Sequence, residues 1–588
     1  GVINIAAGKL IGGIDATEYK PRSIQFVTNR HVVMRISETR RSQRIKGKWE
    51  QSYAFSYDIE TQKLQTMFNR FKDLYPAQGG LGRVVGVDPD GEHVYMPAYI
   101  GDLGAQEPVY SLTRVNLTNG RARVVKSGNS HTEDWFMNDR GEVIAREDFV
   151  SSGKHRLYSY LGKRPKRVFE QRVDYPSISL IGVHPDGKSL MYTAFEDNFE
   201  AVYQMSLEDG ASSEPIVMRD DADIDQVITD LNRKFRGVRF SGPLPSYDYI
   251  DEAFEQAVTN VSGLYPTSSV WPVSATADRN RVVMIVSGNQ GARRYVLYNR
   301  EANTLATLSN GYGIAAEDMG GIRAIRYSAR DGTKIPAIMT APPGVDTPAQ
   351  LPLLVFPHGG PESYDSLAFD WWAQYFARLG YLVLQPNFRG STGYGIEFRD
   401  AGRGEWGKLM QDDVTDGVQV MINNGYADPE RICIMGASYG GYSALAGGAF
   451  TPDLYRCVIS VAGVSNLPRM LQDDKYYSGD HWVTSYWEDV IGDSREERNK
   501  LRSVSPFHAA TNFTAPVLLV HGRDDTIVYI NQSRMMARAL KKAKAQVELV
   551  TLKEADHWLS QPSTRKATLR AMTEFLLKHN PPTRRQES

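Results

Sequence analysis

Gly436-Ala437-Ser438-Tyr439-Gly440-Gly441 lies between two patterns of different period, and that change decides the fold. Upstream, Arg431-Ile432-Cys433-Ile434-Met435 is the short apolar run of a buried parallel strand. Downstream, Tyr442 to Phe450 is small, Ala-rich and helix-compatible. Ser438 therefore falls on a strand-to-helix turn, where Gly436 and Gly440 leave room for a strained backbone that lifts the serine oxygen clear of the sheet. The pattern is that of a nucleophile elbow. In a chain with 51 glycines a lone G-x-S-x-G is weak, so the surrounding sequence has to decide.

Two partners follow in order. His521-Gly522-Arg523-Asp524-Asp525-Thr526-Ile527-Val528 comes after the apolar run Pro516 to Val520, which places its acids past the carboxyl end of a parallel strand, where α/β sheets hold their chemistry. One of Asp524 and Asp525 is the orienting acid. After the strand-like Val547 to Leu552 comes Ala555-Asp556-His557-Trp558, with His557 lying 32 residues past Asp525 in a strand-to-helix loop. Ser, then Asp, then His is the chain order of the α/β-hydrolase triad. A serine hydroxyl is a weak nucleophile at its free pKa, so His557 would take its proton and return it to the leaving group, while the acid fixes the imidazole tautomer. The developing oxyanion would be met by the backbone N–H of Tyr439 and by the loop His358-Gly359-Gly360-Pro361, with Gly360 as the donor, after the apolar run Leu353 to Phe356.

Together, Pro357-His358-Gly359-Gly360-Pro361, Asn387-Phe388-Arg389-Gly390-Ser391-Thr392-Gly393-Tyr394-Gly395, the elbow, and His521-Gly522 with Asp525 and Val528 resemble the prolyl oligopeptidase family over roughly Gly321 to His579. The likeness is to its acylaminoacyl-peptidase and dipeptidyl-peptidase branches. It implies an N-terminal β-propeller over residues 1–318 and a C-terminal α/β-hydrolase domain over 319–588. It also puts the catalytic acid at Asp525, with Asp524 a neighbour, and places Tyr486, Val528 and Tyr439 at the walls of the substrate pocket. The dipeptidyl branch anchors a free amino terminus with adjacent glutamates from the propeller, and no Glu-Glu pair occurs before the hydrolase domain here. Tyr529 follows Val528 where many members carry proline, and His358 stands where the dipeptidyl branch uses an oxyanion tyrosine. Both departures favour the acylaminoacyl-like branch. The whole chain is also similar to bacterial lasso peptide isopeptidases of this family, which cut the side-chain amide closing a threaded ring. The implied function is hydrolysis of peptide or isopeptide bonds in short or compact peptides. An acylaminoacyl peptidase or oligopeptidase on linear peptides is the alternative, and an esterase or lipase or a catalytically idle binding propeller are the rivals from other classes.

The first half carries a repeat of its own. Val87-Asp88-Pro89-Asp90-Gly91, Met137-Asn138-Asp139-Arg140-Gly141 and Val183-His184-Pro185-Asp186-Gly187 each lead into an apolar strand pattern. Ala277-Asp278-Arg279-Asn280 is a degenerate copy about two periods on, so one copy between has drifted. A strand ending in a polar hairpin recurs at Tyr57-Asp58-Ile59, Val115-Asn116-Leu117, Tyr203-Gln204-Met205 and Tyr298-Asn299-Arg300. Such a period is that of a propeller blade, and the spacing predicts about six or seven blades.

Composition narrows the remaining classes. The 588 residues suit two large domains, with 41% hydrophobic and 23% charged residues. With 68 basic against 69 acidic residues, the net charge of −1 supplies no field that recruits nucleic acid or an anionic membrane. The runs Arg40-Arg41-Ser42-Gln43-Arg44 and Lys163-Arg164-Pro165-Lys166-Arg167 read as solvated loops. No apolar stretch approaches the ~18 residues of a membrane span. No signal peptide begins at Gly1, and the compartment, cytoplasmic or periplasmic for a soluble chain, stays open, as does the oligomeric state. The expected partner is a peptide substrate alone. Cys433 and Cys457 read as buried reduced thiols, and the 11 histidines lack ligand spacing, so neither a metal nor another cofactor is expected. Trp371-Trp372 fit a core helix face or a cleft wall.

Overall fold

Among the described residues of the computed structural model, a two-stranded antiparallel sheet (Val2–Asn4 with Lys9–Gly12) and six antiparallel sheets of three or four chain-consecutive strands precede one eight-stranded sheet. The structure describes residues 2–5, 9–15, 19–42, 47–102, 108–150, 152–478 and 482–582. The six sheets are the blades of a propeller: blade 1 (20–66), blade 2 (86–126), blade 3 (132–172), blade 4 (179–206), blade 5 (224–249) and blade 6 (268–310). The count is the lower of the two expected. Apolar residues alternate along the strands and pack between successive sheets. Val33 and Ala54 of blade 1 meet Val94 and Met96 of blade 2, and Met191 and Val202 of blade 4 meet Ile224 and Val238 of blade 5.

The repeat has a backbone cause. In blades 2 to 6 the turn after the first strand contains a residue at positive φ: Gly91, Gly141, Gly187, Arg233 and Arg279. The last three of these lie 46 residues apart. The drifted copy is thus Asp230-Leu231-Asn232-Arg233, where an arginine holds the left-handed position at φ 59°. The polar hairpin marker ends the third strand of blades 1, 2, 4 and 6. A helix, Glu252–Leu264, stands between blades 5 and 6, capped by the Asp251 carboxylate accepting from the Phe254 N–H, and no repeat signal marks it. Of the two basic runs, Arg40 and Arg41 end a strand, Lys166 and Arg167 begin one, and Gln43 and Arg44 lie outside the described residues.

The strands of the large sheet are β1 (Ile322–Ser328), β2 (Lys334–Thr340), β3 (Leu351–Val355), β4 (Leu382–Pro386), β5 (Ala427–Ala437), β6 (Cys457–Val461), β7 (Val517–Gly522) and β8 (Val547–Leu552). Their spatial order is β1-β2-β4-β3-β5-β6-β7-β8. From β4 to β8 every pairing is parallel, and the central strands are buried on both faces. The flanking helices include α1 (Trp371–Arg378), α2 (Leu409–Asn423), α3 (Tyr439–Phe450), α4 (Trp482–Ile491), α5 (Asn531–Lys542) and α6 (Pro562–His579). Trp372 is buried and stacks on Phe356 at 5.2 Å, so this tryptophan belongs to the core.

The cysteines correct the sequence reading. Cys433 on β5 and Cys457 on β6 are direct partners in the parallel register, with Cα atoms 4.7 Å apart, and are joined in a disulfide. Both are fully buried, as expected, but they are not free thiols. Strand pairing across the sheet, which spacing in the chain does not reveal, brings them together.

The loop after β4 is fixed by a buried ion pair. Arg389 donates from Nε and Nη2 to Asp413 of α2 at 2.8 and 2.7 Å, and its backbone N–H donates to the same carboxylate at 2.9 Å. Removing one partner leaves a charge in a low-dielectric interior, which costs about 3–5 kcal/mol, whereas an apolar pair of similar volume is near neutral. Asp413→Ala is therefore expected to destabilise the protein by about 3 kcal/mol or more in denaturant titration, and the double variant Arg389→Met, Asp413→Leu to recover most of that loss.

Candidate active site

Ser438 occupies the single-residue link between β5 and α3, at φ 58° and ψ −120°. For a non-glycine residue this backbone is strained and persists only where its surroundings enforce it. The Ser438 N–H donates to the Val461 carbonyl at 3.0 Å, and its carbonyl accepts from the Tyr442 N–H at 3.0 Å. The two glycines are sterically required: a Cβ on Gly436 would lie 2.3 Å from the Gly440 carbonyl oxygen, and one on Gly440 would lie 2.1 Å from that of Pro357. The second clash shows how tightly the 357–361 loop sits on the elbow. A Cβ on Gly359 would come 3.6 Å from that of Ser438.

The structure brings Asp525, and not Asp524, to the histidine. His557 Nδ1 lies 2.8 Å from Asp525 Oδ2. The other oxygen, Oδ1, accepts from the backbone N–H groups of Ile527 and Val528, both at 2.9 Å. His521 Nε2 is 3.4 Å from the same carboxylate and hydrogen-bonds the Val528 carbonyl at 2.8 Å. Burial alone would push this acid up, but the hydrogen bonds from His521 and His557 outweigh it and hold Asp525 at about 2. Asp525 is thus a carboxylate at neutral pH, fit to accept the imidazole Nδ1–H. Asp524 instead pairs with Lys48 of the propeller at 2.6 Å.

The oxyanion candidates flank the serine. Tyr439 opens α3, so its N–H has no intrahelical acceptor and stands at the positive end of the helix dipole. Its ring is buried among Phe388, Trp406 and Tyr442 and forms no pocket wall. Gly360 has φ 119° and precedes a cis peptide to Pro361. Val528 is buried, with its peptide groups engaged by Asp525 and His521. Tyr486 on α4 meets Tyr175 of the propeller edge-on at 5.7 Å, and burial, with Glu362 nearby just past the 357–361 loop, pushes its phenol well above the usual range. Of the aromatic segment 476–487, residues 479–481 lie outside the described residues. A cavity of about 390 Å³ opens beside this loop, lined by Asp225, Arg239 and Trp271 of the propeller and by Glu362, Tyr364 and Thr392.

The propeller makes contacts on both sides of the site that carry no sequence signal. Asp223 accepts from the N–H groups of Gly393 and Gly395 at 2.9 and 3.0 Å. The Leu367 N–H donates to the Pro243 carbonyl at 2.8 Å, and its carbonyl accepts from the Ser269 N–H at 3.3 Å. As to metals, Asp90, Glu92 and His93 bring donor atoms within 4.8 Å in the blade 2 turn, where Asp90 is already held by Arg114 and His93.

His358 is the buried titratable group of the 357–361 loop. It stacks on Phe388 at 4.5 Å, donates from Nδ1 to the Gly359 carbonyl at 2.7 Å, and faces the Ser391 hydroxyl with Nε2 at 2.9 Å. Burial pushes its pKa down from 6.5 to about 4, against the smaller opposing effect of the Gly359 bond. Between pH 6.5 and 4 the unfolded chain binds this proton and the folded chain does not, so stability falls as the pH drops through that window. The loss is on the order of 3 kcal/mol at one proton. Denaturant midpoints at pH 7 and 4.5 should differ accordingly, and His358→Gln should flatten the difference while lowering stability at pH 7.

Residues 367–581 match the Prolyl oligopeptidase family. Dipeptidyl aminopeptidase BIII of Pseudoxanthomonas mexicana is 26% identical over 555 residues, which span 91% of this chain and 77% of that protein. The acylamino-acid-releasing enzyme of Arabidopsis thaliana is 30% identical over 227 residues, 36% of this chain and 28% of that enzyme. In fold, the chain is similar to a puromycin-hydrolyzing peptidase of Mycobacterium tuberculosis, with a TM-score of 0.71 at 18% identity over 96% of this chain and 95% of that one. Here a propeller is joined to an α/β-hydrolase sheet that carries a serine elbow and a histidine–carboxylate pair at the ends of its parallel strands, and over residues 367–581 the chain is a serine peptidase of the prolyl oligopeptidase family.

Proposed function

We propose that Ser438, His557 and Asp525 form the catalytic triad, with the backbone N–H groups of Tyr439 and Gly360 as the oxyanion hole, and that the peptidase acts on short or compact peptides admitted between the domains. The division of labour falls near 318/319, propeller before and hydrolase after. His557 removes the hydroxyl proton as Ser438 attacks the amide carbonyl, the oxyanion is met by the two N–H groups, and the proton passes to the leaving amine as the acyl-enzyme forms. Water then repeats the sequence and frees the acid. The observation that carries this reading is the His557–Asp525 hydrogen bond, with Asp525 just past the carboxyl end of β7 in the same parallel sheet whose β5–α3 link is Ser438.

The substrate we favour is a peptide ring closed by a side-chain amide, as in lasso peptides, with N-acylated or linear oligopeptides as the second reading. Dipeptidyl release, which the name of the Pseudoxanthomonas relative suggests, is disfavoured because residues 1–318 contain no adjacent glutamates to hold a free amino terminus. Mass spectrometry of products from linear, N-acylated and side-chain-cyclised peptides decides. Opening of the ring-closed peptide at its side-chain amide is expected, and cleavage confined to linear peptides would discard that substrate.

Ser438→Ala should lower kcat on the order of 10⁶-fold with binding largely kept, and a variant holding a tenth of normal activity would refute the nucleophile. Asp525→Asn should cost about 10⁴-fold and Asp524→Asn far less, and the reverse ranking would overturn the assignment of the acid. Access adds a further expectation: kcat/KM should fall steeply from a ten-residue fragment of casein to intact casein, and equal values would rule out selection by size.

A further inference from the structure

The acid and base loops are both tied to blade 1, each through the residue immediately before a proposed triad member. Arg22 donates from Nη2 to Asp556 Oδ2 at 2.8 Å and from Nη1 to the Ser560 hydroxyl at 3.0 Å. Its guanidinium also lies 5.5 Å from the Trp558 ring centroid. Lys20 is 3.6 Å from the same Asp556 oxygen. Glu50 fixes both cations, at 2.8 Å from Lys20 and 3.2 Å from Arg22, and Ser37 accepts from Arg22 Nε at 2.7 Å. On the other loop, Lys48 donates to the Asp524 carboxylate at 2.6 Å and to the Arg523 carbonyl at 2.7 Å.

Several features distinguish this contact from ordinary domain packing. The Asp556 side chain is only 2% exposed and that of Lys20 7%, so their pairing is poorly screened by solvent. Asp556 precedes His557 and Asp524 precedes Asp525, and adjacent Cα atoms are ~3.8 Å apart, so a shift of either anchored residue moves its catalytic neighbour. The bonds also bracket the histidine, with Asp556 and Ser560 held on either side and Trp558 covered by the guanidinium. Within the hydrolase domain the same loops are joined by few bonds, among them Asp524 N–H to the Ala555 carbonyl at 3.1 Å and His557 to Asp525.

We propose that Arg22, supported by Lys20 and Glu50 and seconded by Lys48, is a positioning residue for catalysis: the propeller sets the place of the general base through Asp556. This rests on the triad reading above and deepens it. A displacement of about 1 Å at a reacting group can cost on the order of 10²-fold in rate, so the anchor acts on kcat and leaves KM alone.

The test uses the full chain and two readouts: the rate at which a fluorophosphonate labels Ser438, and kcat and KM on a cleaved peptide. Arg22→Met is expected to slow labelling and kcat about 10- to 100-fold with KM within about twofold, and Arg22→Lys to recover most of the loss. Asn198→Ala removes a different interdomain bond, from the Glu397 N–H to the Asn198 side-chain Oδ1 at 2.9 Å in blade 4, and should leave both rates within about twofold of normal. An Arg22→Met protein labelled at the normal rate, a loss in KM alone, or an equal loss in Asn198→Ala would each overturn the proposal. Thermal unfolding reports whether Arg22→Met folds. If it does not, Asp556→Asn decides from the other side of the pair, since its amide oxygen can still accept the Ser560 N–H while the charge and the acceptor facing Arg22 are lost, and normal labelling of that variant refutes the anchor. Ser438→Ala labelling separates the two readings: reactivity retained there would defeat the triad, whereas unchanged reactivity in Arg22→Met defeats the anchor alone.

Discussion

The site depends on one strained residue being held in place. Ser438 sits at φ 58°, a conformation that costs a non-glycine residue roughly 1–3 kcal/mol. That cost is met by what surrounds it. β5 is paired on both sides, to β3 and β6, and α3 is buried from Tyr439 to Ala449, apolar around its whole circumference. A helix so enclosed cannot rotate to relax the turn, and the closeness of Gly436 to Gly440 leaves the turn no slack. The same crowding seats the 357–361 loop, because Gly440 packs on the Pro357 carbonyl. The placing of Ser438 and of the proposed oxyanion loop is thus one packing problem with one solution.

The candidate site was legible because its pattern is written locally. Each of the three side chains proposed for the triad follows an apolar strand run, and a strand's carboxyl end is where a loop can present it. The propeller was legible wherever glycine supplied the left-handed turn, at Gly91, Gly141 and Gly187. It faded where Arg233 and Arg279 adopt the same conformation, since arginine carries no signature of positive φ. The fifth turn is also held from outside, with Asn232 accepting the Val87 N–H of blade 2 at 2.8 Å, a contact across 145 residues. The disulfide, the Arg389–Asp413 pair and the blade 1 anchors are of the same kind. They depend on which strands lie side by side and which faces meet, and a lysine or arginine in a strand looks alike whether it faces water or another domain.

Charge distribution across the domain boundary explains how a propeller can be more than a cover. Where blades 1, 4 and 5 meet the hydrolase domain, the contacts are hydrogen bonds and ion pairs: Arg22 with Asp556, Lys48 with Asp524, Asn198 with Glu397, and Asp223 with two loop glycines. An apolar seam would hold the domains by area alone, without regard to small rotations. Directional bonds differ, because they weaken steeply once distance or angle is lost. They therefore fix orientation as well as proximity. The loops they grip hold the residues proposed as base and acid and the Gly393–Gly395 turn, while the elbow itself is held within the sheet. In the proposed triad the serine is thus placed by the hydrolase core and its two partners by the interface, so that docking of the propeller and alignment of the proton-transfer path become the same structural condition.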